Sequence, residues 1–444
     1  MTTEKRIFYS ICLISFIGPF LSTSLTIAMP IMAGEFAVPP DQMSWVVTAF
    51  LITTAAALLP LGKVSDIHGR RRTYAAALTG FGISAAAAAL TPSLAILIGL
   101  NMLQGIFLAA IYVSYMPLLL ATTDESRQGR VLGVAVSMTY LGMSLGPVIG
   151  GIITQFIGWR FIFGLSAGGI AISYALIRPV RQEWYAHGSP FVNIVSSALS
   201  TAGIVLFLCG LSLYAENHLL LWLGLLFLVL FLFHESRSYH PLLPLYIFRN
   251  LTFTMSNLAS LIQYSATYAV SFLLSLYLQI IAGLPPATSG LILLAQPVIM
   301  AVLSPKAGEL SDRYGPRYIA SAGLALTTAG LTCFALQPRL SIPAAVFFLL
   351  LIGLGAALFG APNNSAIMSS VKPAYHGTAA SMLALARNLG QAVSMAAVTL
   401  ILTQHTLTIT PYEEAVHSAL QVSFSLLAIL CFLAVFASLV RGRA

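Results

Sequence analysis

Apolar runs of about 20 residues follow one another along this chain with only a few polar residues between them, and that is the length an α-helix needs to cross roughly 30 Å of hydrocarbon. Inside a bilayer every backbone N–H and C=O must find its partner within the protein, so a spanning segment is either a helix or a strand of a closed barrel. The runs here are continuously apolar and do not alternate, which selects helices. Composition agrees: 58% of the residues are hydrophobic, 8% are charged and the mean hydropathy is +0.90, against about 25% charged in a soluble domain. The expected fold is an all-α polytopic membrane protein.

Charge and punctuation place fourteen predicted helices, near 7–32, 43–62, 73–91, 94–120, 131–154, 159–178, 190–214, 219–235, 253–280, 287–304, 318–336, 343–369, 377–403 and 419–440. The apolar run after the basic start is too long for a signal-peptide core of about 7–15 residues and reads as a retained first helix. With the N-terminus inside, 18 of the 21 Lys and Arg fall in loops after even-numbered helices or at the termini, leaving out only Arg160, Arg339 and Arg387. That bias predicts both termini on the cytoplasmic side. The net charge of +8 is spread over small loop clusters and not gathered on one face, which excludes a nucleic-acid partner. Cys12, Cys209, Cys333 and Cys431 stand alone in apolar runs without neighbouring His, so they predict packing and neither a metal site nor a disulfide framework.

The chain also repeats itself. GKVSDIHGRRRTY returns as GELSDRYGPRYIA, aligning Gly62, Asp66 and Gly69 with Gly308, Asp312 and Gly315 at an offset of 246. Gly133, Ser137, Met138 and Gly146 align with Gly377, Ser381, Met382 and Gly390 at 244, and Pro117 with Pro362 at 245. Similar offsets predict two six-helix units in parallel orientation, 1–180 and 251–444, with helices 7 and 8 inserted between them in 181–250. Parallel repeats of this kind build transporters whose halves rock around a central site.

At the residue level the chain resembles the major facilitator superfamily over nearly its whole length, and within it the fourteen-helix drug:proton antiporters. The loop 2–3 pattern G-x-x-x-D-x-x-G-R-[RK]-[RK] is met by Gly62, Asp66, Gly69, Arg70, Arg71 and Arg72, and the helix 5 pattern G-x-x-x-G-P-x-x-G-G by Gly142, Gly146, Pro147, Gly150 and Gly151. WRFIF at 159–163 and HPLLPLYIFRN at 240–250 are similar to the same branch. The resemblance implies a cytoplasmic latch in which Asp66 faces the start of helix 13 near Gly377, and repeat symmetry gives Asp312 the same role near Arg130. It also implies proton-coupled export from a bacterial inner membrane. Gly62 is expected to admit a close neighbour and Gly69 a tight reversal. Gly142, Gly146 and Gly150 form a side-chain-free stripe beside the Pro147 kink, expected as a hinge surface between the halves.

Candidate cargo contacts are the polar residues that lipid would not favour. Asn257, Ser260, Tyr264, Tyr268, Ser271 and Ser275 lie at spacings of 3, 4, 4, 3 and 4, one face of predicted helix 9. Asn101, Gln104, Tyr112 and Tyr115 on helix 4, Tyr140 on helix 5, and Arg387, Asn388 and Gln391 on helix 13 complete the expected cavity. Two departures from the family pattern stand out: Leu21 occupies the place of the usual helix 1 acid, and Asn101 that of the usual helix 4 arginine. Glu35 is the nearest remaining candidate for a proton site. Without a mid-membrane carboxylate, a neutral or anionic cargo fits better than a dication. Efflux of drugs or small amphiphilic metabolites is expected from the helix 5 motif, while uptake of a small metabolite by uniport or symport accords with the missing acids. No enzyme constellation or ATP-binding loop is present, a receptor would need no paired latches, and no cofactor is implied. The expected partners are a small-molecule substrate, membrane lipid and protons, acting on a monomer.

Overall fold

The computed structural model describes residues 2–124, 128–185, 191–214, 217–239, 241–243, 245–337, 340–371, 376–409 and 412–440, and none of these is in a strand. The first repeat is α1 (Thr3–Phe36), α2 (Pro40–His68), α3 (Arg70–Ala89), α4 (Leu94–Thr122), α5 (Gln128–Phe156) and α6 (Arg160–Ile177). Then come α7 (Ile194–Ser212) and α8 (Leu219–Arg237). The second repeat is α9 (Leu251–Thr267), α10 (Val270–Leu276), α11 (Pro286–Leu293), α12 (Ala295–Tyr314), α13 (Pro316–Leu336), α14 (Ile342–Ser369), α15 (His376–Thr408) and α16 (Tyr412–Leu439).

Among the described residues thirteen helical spans are long and apolar enough to cross a membrane, with α9–α10 and α11–α12 each forming one of them. The fourteenth expected crossing is α3, whose 20 residues reach about 30 Å at 1.5 Å per residue. Its sequence RRRTYAAALTGFGISAAAAA is low in hydropathy because three arginines open it and Ala, Gly, Ser and Thr stand in place of large aliphatic residues. Tyr74, Leu78, Phe81, Ala85 and Ala88 form one buried stripe at helical spacing, and α3 lies against α4 and α6.

The chain divides into two compact units. Unit 1 holds Met1–Leu25, Met32–Gly146 and Phe156–Leu245; unit 2 holds Thr26–Ile31, Pro147–Gln155 and Tyr246–Ala444. The inserted pair groups with unit 1, where α7 packs on α2 and the Thr201 hydroxyl donates to the Ala56 carbonyl at 3.2 Å. Within unit 1, α2 meets α4 while α3 meets α4 and α6; within unit 2, α12 meets α14 while α13 meets α14 and α16. The sequence repeat is thus a repeat of neighbours.

Each unit ties its first, third and sixth helices with a buried polar knot. In unit 1 the Ser10 and Ser173 hydroxyls lie 2.8 Å apart, and Tyr74 Oη is 3.0 Å from Ser10 Oγ. In unit 2 Gln263 Nε2 donates to Thr327 Oγ1 at 3.4 Å, and Cys431 Sγ donates to Gln263 Oε1 at 3.5 Å. In a medium without water such groups must find each other, so the knots fix which helix faces which.

Candidate functional site

The predicted loop between helices 2 and 3 is almost entirely helical. α2 continues through KVSDIH to His68, and the next residue, Gly69, is the whole connection to α3. Its φ of 101° is hostile to a side chain, and its N–H closes the helix on the Ser65 carbonyl at 3.1 Å. Asp66 therefore sits on the last turn of α2, one turn before Arg70. Its carboxylate accepts from Arg70 Nη2 at 3.2 Å and Nε at 3.3 Å, and Asp66 keeps 42% side-chain exposure.

Glu183, from the segment after α6, is a member of this corner that the motif does not announce. Its carboxylate accepts from the backbone N–H of Arg71 at 2.7 Å and of Arg72 at 3.1 Å, capping the exposed amides at the start of α3. Arg70 N donates to Trp184 O at 2.9 Å, and Arg71 Nη2 donates back to the Arg178 carbonyl at 3.0 Å. A Cβ on Gly69 would lie 2.5 Å from Glu183. The only sequence signal was a lone acid in RPVRQEWY, a complement to three arginines and a helix N-terminus.

The second repeat builds the same corner. Gly315 has φ 85° and ψ 145°, beside 101° and 132° at Gly69, and its N–H meets the Ser311 carbonyl at 2.8 Å. Pro316 then opens α13, a position where its missing N–H costs nothing. The side chains of Arg130 and Asp312, and residue Gly377 beyond its backbone, lie outside the described residues. Among the described residues close approach does not explain the first motif glycine: a Cβ at Gly62 would meet only Val113 at an ordinary 3.8 Å, and at Gly308 none lies within 4 Å.

The glycines of α5 divide between partners. Gly142 faces the Phe16 carbonyl and Gly146 faces Thr23 and the Phe20 carbonyl, so both press α5 onto α1 inside unit 1. Ser24 Oγ donates to Gly146 O at 2.9 Å across this contact. Past Pro147, inside unit 2, a Cβ on Gly151 would stand 2.6 Å from the Pro286 carbonyl, and Gly290 meets the Pro147 carbonyl in turn. Gly150 is buried. Gly390 of α15 repeats the behaviour of Gly146, facing the Leu261 carbonyl of α9.

The three asparagines of the expected cavity first satisfy their own helix. Asn101, Asn257 and Asn388 are buried, and each donates its amide to the carbonyl four residues earlier, at 2.9, 2.9 and 2.7 Å. Gln104 is fully buried against the Ser84 carbonyl at 3.5 Å. Tyr112 and Tyr115 are half-buried neighbours with ring centroids 6.0 Å apart. Tyr140, Tyr264, Tyr268, Ser271, Arg387 and Gln391 are half-buried as well. Glu35 is held in a clasp: Trp159 Nε1 donates to it at 2.7 Å, Arg160 Nη1 pairs with it at 2.5 Å, and Arg160 Nη2 reaches the Thr91 carbonyl at 3.3 Å. The Arg160 guanidinium also lies 4.3 Å from the Trp159 ring centroid. Both carboxylate oxygens are engaged, which joins the end of α1 to the start of α6.

Two repeats of six helices, matching corners and matching polar knots have a counterpart among known families. The family model described as Major Facilitator Superfamily matches residues 11–283 and 257–443. This chain belongs to the major facilitator superfamily. It is 30% identical over 398 residues to the riboflavin transporter RibZ of Clostridioides difficile, covering 86% of this chain and 85% of that protein. It is 28% identical over 393 residues to the multidrug efflux pump LfrA of Mycolicibacterium smegmatis, covering 86% and 77%. Among solved structures, a bacterial homolog of the lysosomal transporter Spinster matches at a TM-score of 0.72 and 13% identity over 99% of this chain and 97% of that one, a likeness of fold alone. The protein is therefore an integral membrane transporter of small molecules and not an enzyme.

Proposed function

We propose that the protein exports neutral or anionic amphiphiles by alternating access, with both termini on the cytoplasmic side. The observation that carries the cargo class is the state of the acids. Among the described residues the one buried carboxylate is Glu235, 3% exposed, and it is already occupied by the Ser196 hydroxyl at 2.7 Å and the Leu243 N–H at 2.6 Å. A dication in a low-dielectric cavity needs an available anion, whereas Asn, Tyr and Ser groups serve a neutral molecule rich in donors and acceptors. Riboflavin is the first cargo to try, because RibZ carries that name; it is uncharged at neutral pH, with an imide, carbonyls and a hydroxylated chain.

The test is flux of riboflavin through proteoliposomes, with and without an imposed pH gradient, beside a quaternary ammonium dye. Faster riboflavin loss from the lumen equivalent to the cytoplasm supports export, and acceleration by an opposing proton gradient supports antiport. Transport of the cationic dye alone would overturn the cargo class. Uptake is the second reading, favoured by Leu21 and Asn101 at the uncharged proton-handling positions. Cells that accumulate riboflavin when they express the protein would establish it in place of export.

A further inference from the structure

α10 does not end as an α-helix. Tyr277–Ile281 forms a π-helical turn, closed by Ala282 N donating to Tyr277 O at 2.9 Å, and the chain then turns through Gly283 at φ 64°. A π turn inserts an extra residue and swings the following side chains away from their α-helical directions, and such turns gather at functional positions. Here it aims two side chains at different partners within unit 2. Tyr277 Oη donates to the Leu340 carbonyl and accepts from the Leu340 N–H, both at 3.0 Å. Gln279 Nε2 donates to the Ile27 carbonyl at 3.0 Å and to Ser275 Oγ at 2.9 Å.

Ile27 belongs to Thr26–Ile31, the stretch of α1 that lies in unit 2 while the rest of α1 lies in unit 1. Its carbonyl is in mid-helix, so the Gln279 amide supplements the helical bond and replaces none of it. The other half of the amide has no such partner: Gln279 Oε1 is buried and accepts no hydrogen bond. A side chain selected only for packing would be apolar here, and the unpaired oxygen, which Gln104, Asn257 and Asn363 share, reduces what the contact contributes. Two donor bonds set against one unpaired acceptor make a contact of small net strength, which a conformational change can release.

We propose that Gln279 is a positioning residue that clamps the Thr26–Ile31 stretch of α1 and so holds the pathway shut at the end of α1 remote from the N-terminus. This deepens the alternating-access reading, and its test needs no cargo. The four native cysteines are replaced, Thr26→Cys is introduced at a site 7% exposed, and its reaction with a membrane-impermeant maleimide is timed from each side of the membrane. Gln279→Glu keeps the shape but removes both donors, and it should raise the rate from the side remote from the N-terminus by about 5-fold or more. Acidification should restore slow labelling in that variant, because a protonated Glu can donate to the Ile27 carbonyl; the Gln279 parent should show no such change once maleimide's own pH dependence is subtracted. Gln279→Leu should label fast at every pH. Rates equal to the parent in both variants, with unaltered gel-filtration profiles, would overturn the clamp, as would fast Gln279→Glu labelling that acid does not slow. Failure of riboflavin transport with the labelling pattern intact would count against the cargo alone.

Discussion

At the scale of single residues, Gly69 and Gly315 separate two demands that coincide in the motif. Both have φ in the region that side chains avoid, which costs about 1–3 kcal/mol for a non-glycine residue. Among the described residues only Gly69 also has a neighbour in the way, since a Cβ there would meet Glu183 while none of them lies within 4 Å of one at Gly315. Gly315→Ala is therefore expected to lower the unfolding temperature in detergent modestly. Gly69→Ala should lower it further, because displacing Glu183 uncaps the start of α3, worth about 0.5–2 kcal/mol more. Glu183→Ala should reproduce that second increment alone. Equal losses for the two glycine variants would show that the Glu183 cap contributes nothing.

At the scale of elements, the spacing of small residues in α5 announced a close contact but not with whom. The structure sends Gly142 and Gly146 to α1 and Gly151 to the start of α11. Gly146→Ala should destabilise by about 1–3 kcal/mol, since Thr23 and the Phe20 carbonyl occupy the space. Gly164→Ala, in a helix interior with no described residue within 4 Å of the added carbon, should instead gain about 0.5–1 kcal/mol from helix propensity. A thermal-shift comparison of the two reads opposite signs; the same sign would refute the packing argument. The contrast also shows what a sequence discloses. Helix number, repeat register and the Gly69 corner were legible because bilayer thickness, offset and positive φ each leave a mark at fixed spacing. Glu183, Glu235 and Gln279 were not, because each acts on a backbone group distant in sequence, Arg71 N, Leu243 N or Ile27 O, and a peptide group has no letter of its own. The extents of α2 and α12 were missed for a related reason: hydropathy ends where the membrane ends, whereas their backbone hydrogen bonding continues to His68 and Tyr314.

At the scale of the whole molecule, alternating access requires that the contacts closing each side be close in free energy, so that neither state is a trap. Asp66 lies on the last turn of α2 and Thr26–Ile31 near the far end of α1, so these successive antiparallel spans put the two features at opposite faces of the membrane. The Asp66–Arg70 pair is partly exposed, and such pairs contribute about 0–1 kcal/mol to stability. Asp66→Asn should thus leave the unfolding temperature nearly unchanged while slowing riboflavin flux about 5-fold or more, if Asp66 acts by favouring the state closed at the cytoplasmic face. The same change should favour closure at the other face and slow the labelling of Thr26→Cys, whereas Gln279→Glu speeds it. Because the two sites share no partner, their free-energy effects should add. The double variant Asp66→Asn/Gln279→Glu is then expected to label at the product of the two single-variant ratios to the parent, a rate between those of the two single variants. A double variant that labels as fast as Gln279→Glu alone would show that Asp66 does not set the balance between the two states.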